Sequence, residues 1–226
     1  MLRETLTFSP EVQITRADDS VTGERRISFT AKGHVAINYA ATVEPRLRET
    51  DFSDAPQPRL ADLPSEALDY LLPSRYCPSD RFEAFVEKEF ADLKGGAKVN
   101  AILDWVAGHL DYKPGASHSQ TTAEDTFVDR AGVCRDFSHL AITLCRASDI
   151  PARAVSAYAW RLRPPDFHAV AEVWLAGRWW LVDATRLAPL DGLVRIAAGR
   201  DAADLAFMTV FGWGDMTRQV VKVRKG

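Results

Sequence analysis

Apolar and polar residues alternate from Leu6 to Ala41: Leu6 with Phe8, Val12 with Ile14, Ile27 with Phe29 and Ala31, then Val35, Ile37, Tyr39 and Ala41. A period of two marks a half-buried strand, and turn signals at Asp18-Asp19-Ser20, Thr22-Gly23 and Lys32-Gly33 divide the run. The pattern predicts a small antiparallel β unit. Beyond it Pro45, Pro56, Pro58, Pro64, Pro73 and Pro78 break helices and inner strands alike, so residues 45–80 read as a connector, with Leu68, Tyr70, Leu71 and Leu72 as its anchor. The expected organisation is an N-terminal β-rich unit with connector over 1–60 and a main domain over 61–226.

From Asp80 the period becomes helical. Phe82, Phe85, Val86, Phe90 and Leu93 share a face, Asp80 and Glu83 stand at capping-box spacing, and Gly95-Gly96 is expected to end the helix. A second helix carries Val99, Ile102, Trp105, Val106 and Leu110 and stops before Lys113-Pro114-Gly115. These stripes read as core. Thr121 and Glu124 predict a short capped helix to Asp129, which Arg130-Ala131-Gly132 breaks. The next helix begins at Cys134 and sets Phe137, Leu140, Ala141 and Leu144 on one face with it, ending near Ser148-Asp149-Ile150-Pro151. Ala152 to Arg161 reads as a strand. His168 to Thr185 reads as a hairpin turning at Ala176-Gly177. The tail has a turn at Gly199–Asp201, an apolar stretch from Leu205 to Phe211 and a last alternating strand through Val220 and Val223.

The hairpin permits a geometric test. If Leu175 pairs with Arg178 across a two-residue turn, Val170 lies opposite Asp183 and His168 opposite Thr185. His168 and Asp183 then share a face as diagonal neighbours, roughly 7 Å apart at Cα, within reach of a hydrogen bond.

Composition narrows the partners. With 46% hydrophobic and 26% charged residues in 226, the chain is expected to fold, and its net charge of -3 arises from 28 basic and 31 acidic residues that are interspersed. No electrostatic footprint for nucleic acid or an anionic membrane is expected. Met1-Leu2-Arg3-Glu4-Thr5 is polar with no apolar run behind it, so neither a secretory signal nor a membrane span is expected and the default location is the cytoplasm. Cys77, Cys134 and Cys145 are odd in number and lack C-x-x-C spacing, as in reduced thiols. His34, His109, His118 and His139 have no ligand spacing with another His or Cys, and no metal site is expected.

Cys134, His168 and Asp183 follow one another in the order thiol, imidazole, carboxylate, the parts of a thiol nucleophile with its base and orienter. The bland alternatives stand beside this. A buried cysteine is usually an inert small hydrophobe, the reading for Cys77 and Cys145, and a strand histidine is usually a satisfied core residue. Cys134 differs by following a glycine break at a helix N-terminus, where a half-buried thiol meets the positive end of the helix dipole.

The run Gly132-Val133-Cys134-Arg135-Asp136-Phe137-Ser138-His139-Leu140-Ala141, with Ile150-Pro151-Ala152-Arg153-Ala154-Val155, resembles the transglutaminase-like superfamily of cysteine proteases and transferases. So do His168-Ala169-Val170-Ala171-Glu172-Val173-Trp174 and Trp179-Trp180-Leu181-Val182-Asp183-Ala184-Thr185, while Tyr70-Leu71-Leu72-Pro73-Ser74-Arg75-Tyr76 and Gly199-Arg200-Asp201-Ala202-Ala203-Asp204 look like its bacterial branch. The resemblance spans about residues 65–212. It implies an α+β, papain-like core with the nucleophile helix packed on an antiparallel sheet, Cys134 as nucleophile, His168 as base and acid, and Asp183 as the carboxylate holding the imidazole. Val170 and Ala184 depart from the family's common Trp and Pro, which bears on pocket shape. The expected activity is cofactor-free acyl transfer from a peptide or carboxamide through a thioester, with hydrolysis favoured, an amine acceptor as the alternative and a non-catalytic peptide-binding module as the rival. The Cys134 N–H would serve the oxyanion. Tyr112 and Gln120, in the preceding loop, are candidates for a second donor.

Overall fold

The computed structural model describes residues 1–18, 25–44 and 49–225. The turn signals at Asp19-Ser20 and Thr22-Gly23, and Pro45 of the connector, lie outside the described residues. Strands β1 (Arg3–Ser9), β2 (Ile14–Asp18), β3 (Arg25–Phe29) and β4 (Ala36–Thr42) follow the alternating positions. β1 pairs antiparallel with β4, and β2 with β3. Phe8 meets Phe29 edge-on at 5.0 Å and Arg25 donates to Glu4 at 2.6 Å, so an aromatic pair and an ion pair join the two ribbons.

The chain divides into two compact units, Met1–Arg46 and Leu47–Gly226. The second begins before the boundary expected near residue 60, because the connector is built into it. Phe52 is buried in the core with its ring 5.8 Å from that of Trp180, the Ala55 carbonyl accepts from Gly96 N–H at 2.9 Å, and the Gln57 amide donates to the Ser148 carbonyl at 2.9 Å. Of the expected anchor, Tyr70 and Leu71 pack toward Trp179 and Trp174, whereas Leu68 and Leu72 are exposed.

Helices α1 (Ser65–Leu68), α2 (Glu83–Phe90) and α3 (Gly95–His109) come next. Val86, Phe90, Val99, Ile102 and Val106 are buried, as their spacing requires. Two expected signals are corrected. The Asp80–Glu83 box is absent: Ser79–Arg81 forms a 3-10 turn, and Phe82 takes the N-cap position with no side-chain hydrogen bond. Gly95-Gly96 opens α3 instead of ending α2, because the connector backbone crosses over it. A Cβ on Gly96 would lie 1.7 Å from the Phe52 carbonyl oxygen, and Gly95 holds φ at +56° with the Ala55 oxygen 2.2 Å from its missing Cβ.

β5 (Asp111–Tyr112) and β6 (Ala131–Gly132) form a short parallel pair around α4 (Ala123–Asp129). The capping box of α4 is Thr122 with Asp125, one residue beyond the expected Thr121 and Glu124. Thr121 is unavailable because its Oγ1 accepts His118 N–H at 3.0 Å in the preceding turn.

Helix α5 (Cys134–Arg146) lies at the centre and is buried beyond the one face expected. Leu140 and Leu144 are fully enclosed, each stabilising the fold by about 1.5–3 kcal/mol, and Ser138, His139, Thr143 and Arg146 are buried as well. Arg146 ends the helix by donating to the carbonyls of Leu72, Ala152 and Arg200 and to Ser74 Oγ. One guanidinium thus ties α5 to the connector, the sheet and the tail.

The sheet consists of β7 (Ala152–Ala159), β8 (Phe167–Leu175), β9 (Arg178–Val182) and β10 (Leu193–Gly199), in the order β10-β7-β8-β9 and antiparallel throughout. α5 packs on β7 and β8. This is the α+β architecture expected of the chain, a central helix beginning at Cys134 packed on an antiparallel sheet. β10 escaped the pattern because a register shift between Arg195 and Ala197 interrupts its alternation. The strand expected through Val220 and Val223 does not form, and Leu205 to Phe211 takes no regular structure, since neither segment finds a ladder partner among the described residues. No helix among them is long and apolar enough to cross a membrane.

Candidate active site

Cys134 owes its position to the residues around it. Asp136 folds its carboxylate back to accept Val133 N–H at 2.8 Å and Ser117 Oγ–H at 2.5 Å, closing the N-terminus of α5. That return needs room at Gly132, where a Cβ would stand 2.6 Å from Asp136 Cβ. Arg135 pairs with the other oxygen of Asp136 at 2.8 Å and reaches the His118 carbonyl at 2.8 Å, fixing the loop opposite. One turn below Cys134, Ser138 Oγ donates to the Ala169 carbonyl at 3.0 Å, the residue after His168. The helix start and the strand start are therefore pinned together, with Cys134 half-buried between them.

The hairpin supplies the other partners. Leu175 pairs with Arg178 and Ala171 with Val182, a register that carries Val170 opposite Asp183. Ala176 at φ +50° and Gly177 at φ +76° make the tight two-residue turn that sets this register. His168 and Asp183 accordingly meet, with Nε2 2.8 Å from Oδ2 and both side chains almost wholly buried. Thr185 completes the carboxylate shell, its N–H and Oγ1–H donating to Oδ1 at 2.9 and 2.7 Å.

A carboxylate only accepts, so Nε2 carries a proton and Nδ1 is the ring's free position. Nδ1 is buried without a hydrogen-bond partner. Cys134 and His168 line the same cavity, and the thiol stands close enough to act on the imidazole. Burial alone would lower the pKa of His168, but the hydrogen bond to Asp183 and the thiol of Cys134 outweigh it and raise the value to about 9. Burial likewise opposes ionisation of Asp183, yet His168 and Thr185 hold its carboxyl below the usual range.

Of the two oxyanion candidates, Tyr112 lies beside Cys134, and neither it nor Gln120 lines the cavity. The β5–β6 pair sets Tyr112 opposite Gly132, and its ring lies 5.8 Å from that of Phe137. The Tyr112 phenol is raised above its ordinary pKa, first by burial and then by the Cys134 thiol, while the Cys134 N–H acts in the opposite sense. Gln120 sits in the turn before α4, its N–H donating to His118 Nδ1 at 3.2 Å. Cys77 and Cys145 are fully enclosed, and burial pushes both thiols up to about 12. Sequence reasoning missed Asp136, Ser138 and Thr185. The spacing of Asp136 from Val133 carried a signal, that of an N3 acid folding back on a helix start.

An α+β core with a half-buried thiol at a helix N-terminus, facing a buried imidazole–carboxylate pair, is the class that the fold and geometry define. Residues 82–184 match the sequence profile of the Transglutaminase-like superfamily. A solved structure from Cytophaga hutchinsonii, described as a candidate cysteine protease, is 42% identical, with a TM-score of 0.83 over 93% of this chain and 74% of that one. The chain belongs to the transglutaminase-like superfamily. An uncharacterized Mycobacterium leprae protein is 32% identical over 146 residues, 60% of this chain and 52% of that protein, so the chain spans about half the length of this curated relative. The periplasmic domain of TgpA from Pseudomonas aeruginosa is 25% identical, with a TM-score of 0.44 over 57% of this chain and 52% of that one.

Proposed function

We propose that the chain is a thiol-dependent acyl-transfer enzyme that cleaves peptide or carboxamide bonds, with Cys134 as nucleophile, His168 as general base and acid, and Asp183 as the group that orients the ring. The observation carrying this reading is the buried His168–Asp183 hydrogen bond, which leaves Nδ1 without a partner at the cavity shared with Cys134. With its pKa raised to about 9, the ring already holds the thiol proton on Nδ1 near pH 7, and Sγ attacks the carbonyl carbon as the thiolate. The C–N bond then breaks, the proton goes to the leaving amine, and a thioester remains on Cys134. Water adds to the thioester with His168 as base, the C–S bond breaks, and the thiol regains its proton. The Cys134 N–H, with the Tyr112 hydroxyl beside it, would serve the oxyanion.

Hydrolysis is preferred to transfer onto an amine because the 42% identical neighbour is described as a candidate cysteine protease. The direct test is iodoacetamide labelling read by peptide mass spectrometry, alongside a peptide and isopeptide substrate screen with and without Cys134→Ala. Label concentrates at Cys134 and the variant is inactive. Equal labelling of Cys77, or activity in the variant, overturns the reading. Incorporation of an added primary amine at the expense of free acid would instead assign a transglutaminase.

A further inference from the structure

The cavity beside Cys134 has a volume of about 210 Å³, and its walls are mostly apolar. α5 contributes Cys134 and Ser138 to one wall, and the facing strands contribute Ala154, Ala169 and Phe167, with Leu205 and Phe207 of the tail closing the rim. The strands leave room there because Ala154 and Ala169 are small, and Ser156, paired with Ala169, adds a buried hydroxyl without a hydrogen-bond partner to the same wall. Phe167 and Phe207 stack at 4.9 Å, giving the rim a flat aromatic side. On β10 the register shift between Arg195 and Ala197 coincides with Ile196, which lines the cavity too.

Outside the reacting pair, the charged residue at this space is Arg135, whose Nε and Nη2 are held by Asp136, Ser117 Oγ and the His118 carbonyl. His139 borders it and is neutral near pH 7, since burial lowers its pKa to about 4 and Nε2 accepts Ala202 N–H at 3.1 Å. An apolar cavity of about 150 Å³ holds a benzene ring, so this one has room for a benzyl-sized or branched aliphatic side chain.

We infer that this cavity is the specificity pocket of the proposed acyl-transfer reaction, taking one uncharged apolar side chain, leucine- to phenylalanine-sized, carried by the acyl donor beside the carbonyl attacked. The inference rests on the reading of Cys134 as nucleophile, and its test separates the two. Peptidyl acyloxymethyl ketones alkylate a thiol by forming a C–S bond while a carboxylate leaves from the same carbon. A panel with Gly, Leu, Phe, Asp or Lys at the residue next to the ketone, or one residue further, measures selectivity as a second-order rate at Cys134. Iodoacetamide is the side-chain-free reference. Leu and Phe probes are expected to exceed the Gly probe by about tenfold or more, and Asp and Lys probes to fall at or below it.

Ala154→Phe fills the cavity and brings the Phe-to-Gly ratio close to one, with thermal melting confirming the fold. Phe207→Ala, at the exposed rim, widens it and shifts preference toward a Trp probe. In parallel, Cys134→Ala is titrated by NMR with N-acetyl-phenylalanine methylamide and N-acetyl-glycine methylamide, which needs no reactive thiol. Shifts at Ala154 and Ala169 with the Phe compound alone support the pocket even where iodoacetamide shows Cys134 to be ordinary, the outcome that sinks the catalytic reading. Equal rates and equal binding for Gly and Phe at both positions overturn the pocket.

Discussion

His168 and His139 are each 1% exposed and border one cavity, and each keeps Nδ1 without a hydrogen-bond partner, yet they titrate in opposite directions. His168 rises to about 9 and His139 falls to about 4. Burial acts on both alike, disfavouring the cation. The difference lies chiefly in what Nε2 meets, with the Cys134 thiol adding to the rise at His168. For His168 it is the carboxylate of Asp183 at 2.8 Å; for His139 it is the backbone N–H of Ala202, a donor that the imidazolium could not accept. His139 is further packed flat on Tyr76, with ring centroids 5.2 Å apart. Depth does not set the direction of the shift; the partner of the second ring nitrogen does.

The comparison is broken most directly by removing each ring. His168→Ala is expected to lower kcat/KM on any substrate found in the screen, and the alkylation rate of Cys134, by about 10²–10⁴-fold. His139→Gln is expected to cost far less in rate and to lower the melting temperature instead, by leaving the Ala202 N–H less well paired. Equal losses of rate would show that the two rings do not divide their roles as their partners suggest.

Asp183→Asn sharpens the same contrast by taking away the group that separates the two histidines. With the carboxylate gone, burial dominates and the pKa of His168 falls, so the alkaline limb of kcat/KM, expected near 9 in the unaltered protein, moves to lower pH. Stability follows by linkage. A raised folded-state pKa contributes stability that is full below the unfolded value of about 6.5 and is lost as pH rises through about 9. The gap in melting temperature between the two proteins is therefore larger at pH 6 than at pH 10. A gap that widens with pH would contradict the assignment of Nε2 to the carboxylate.

How much of this could be read from the sequence depended on how local each determinant is. The His168–Asp183 face followed from period two and the Ala176-Gly177 turn, because a two-residue hairpin fixes register without help from the rest of the fold. Cys134 at a helix start followed from Gly132 and the spacing of Phe137, Leu140 and Leu144. Tyr112 came to Cys134 through a parallel pair with β6, closed only once α4 is folded between the two strands. Gly95-Gly96 looked like a helix stop, since a glycine required by backbone crossing is indistinguishable in sequence from one required by a left-handed cap. The cavity was least legible, because it is made by what Ala154 and Ala169 lack.

The smallest effect concerns His139 and acid. A folded-state pKa depressed to about 4 leaves the ring neutral while the unfolded chain takes up a proton near 6.5, so stability present above about 6.5 is lost as pH falls through 4. Asp201 and Asp136 pull its pKa upward and Arg135 and Arg146 push it down, but burial outweighs them all. His139→Gln keeps a polar side chain at the site and removes the titration. Its melting temperature is expected to be below that of the unaltered protein at pH 7.5, with the difference narrowing between pH 6.5 and pH 4. Chemical denaturation at a series of pH values resolves this as a shallower acid limb in the variant. An acid limb of the same slope would place the acid sensitivity at the carboxylates, Asp183 among them, and leave the two buried histidines less unlike than their partners make them.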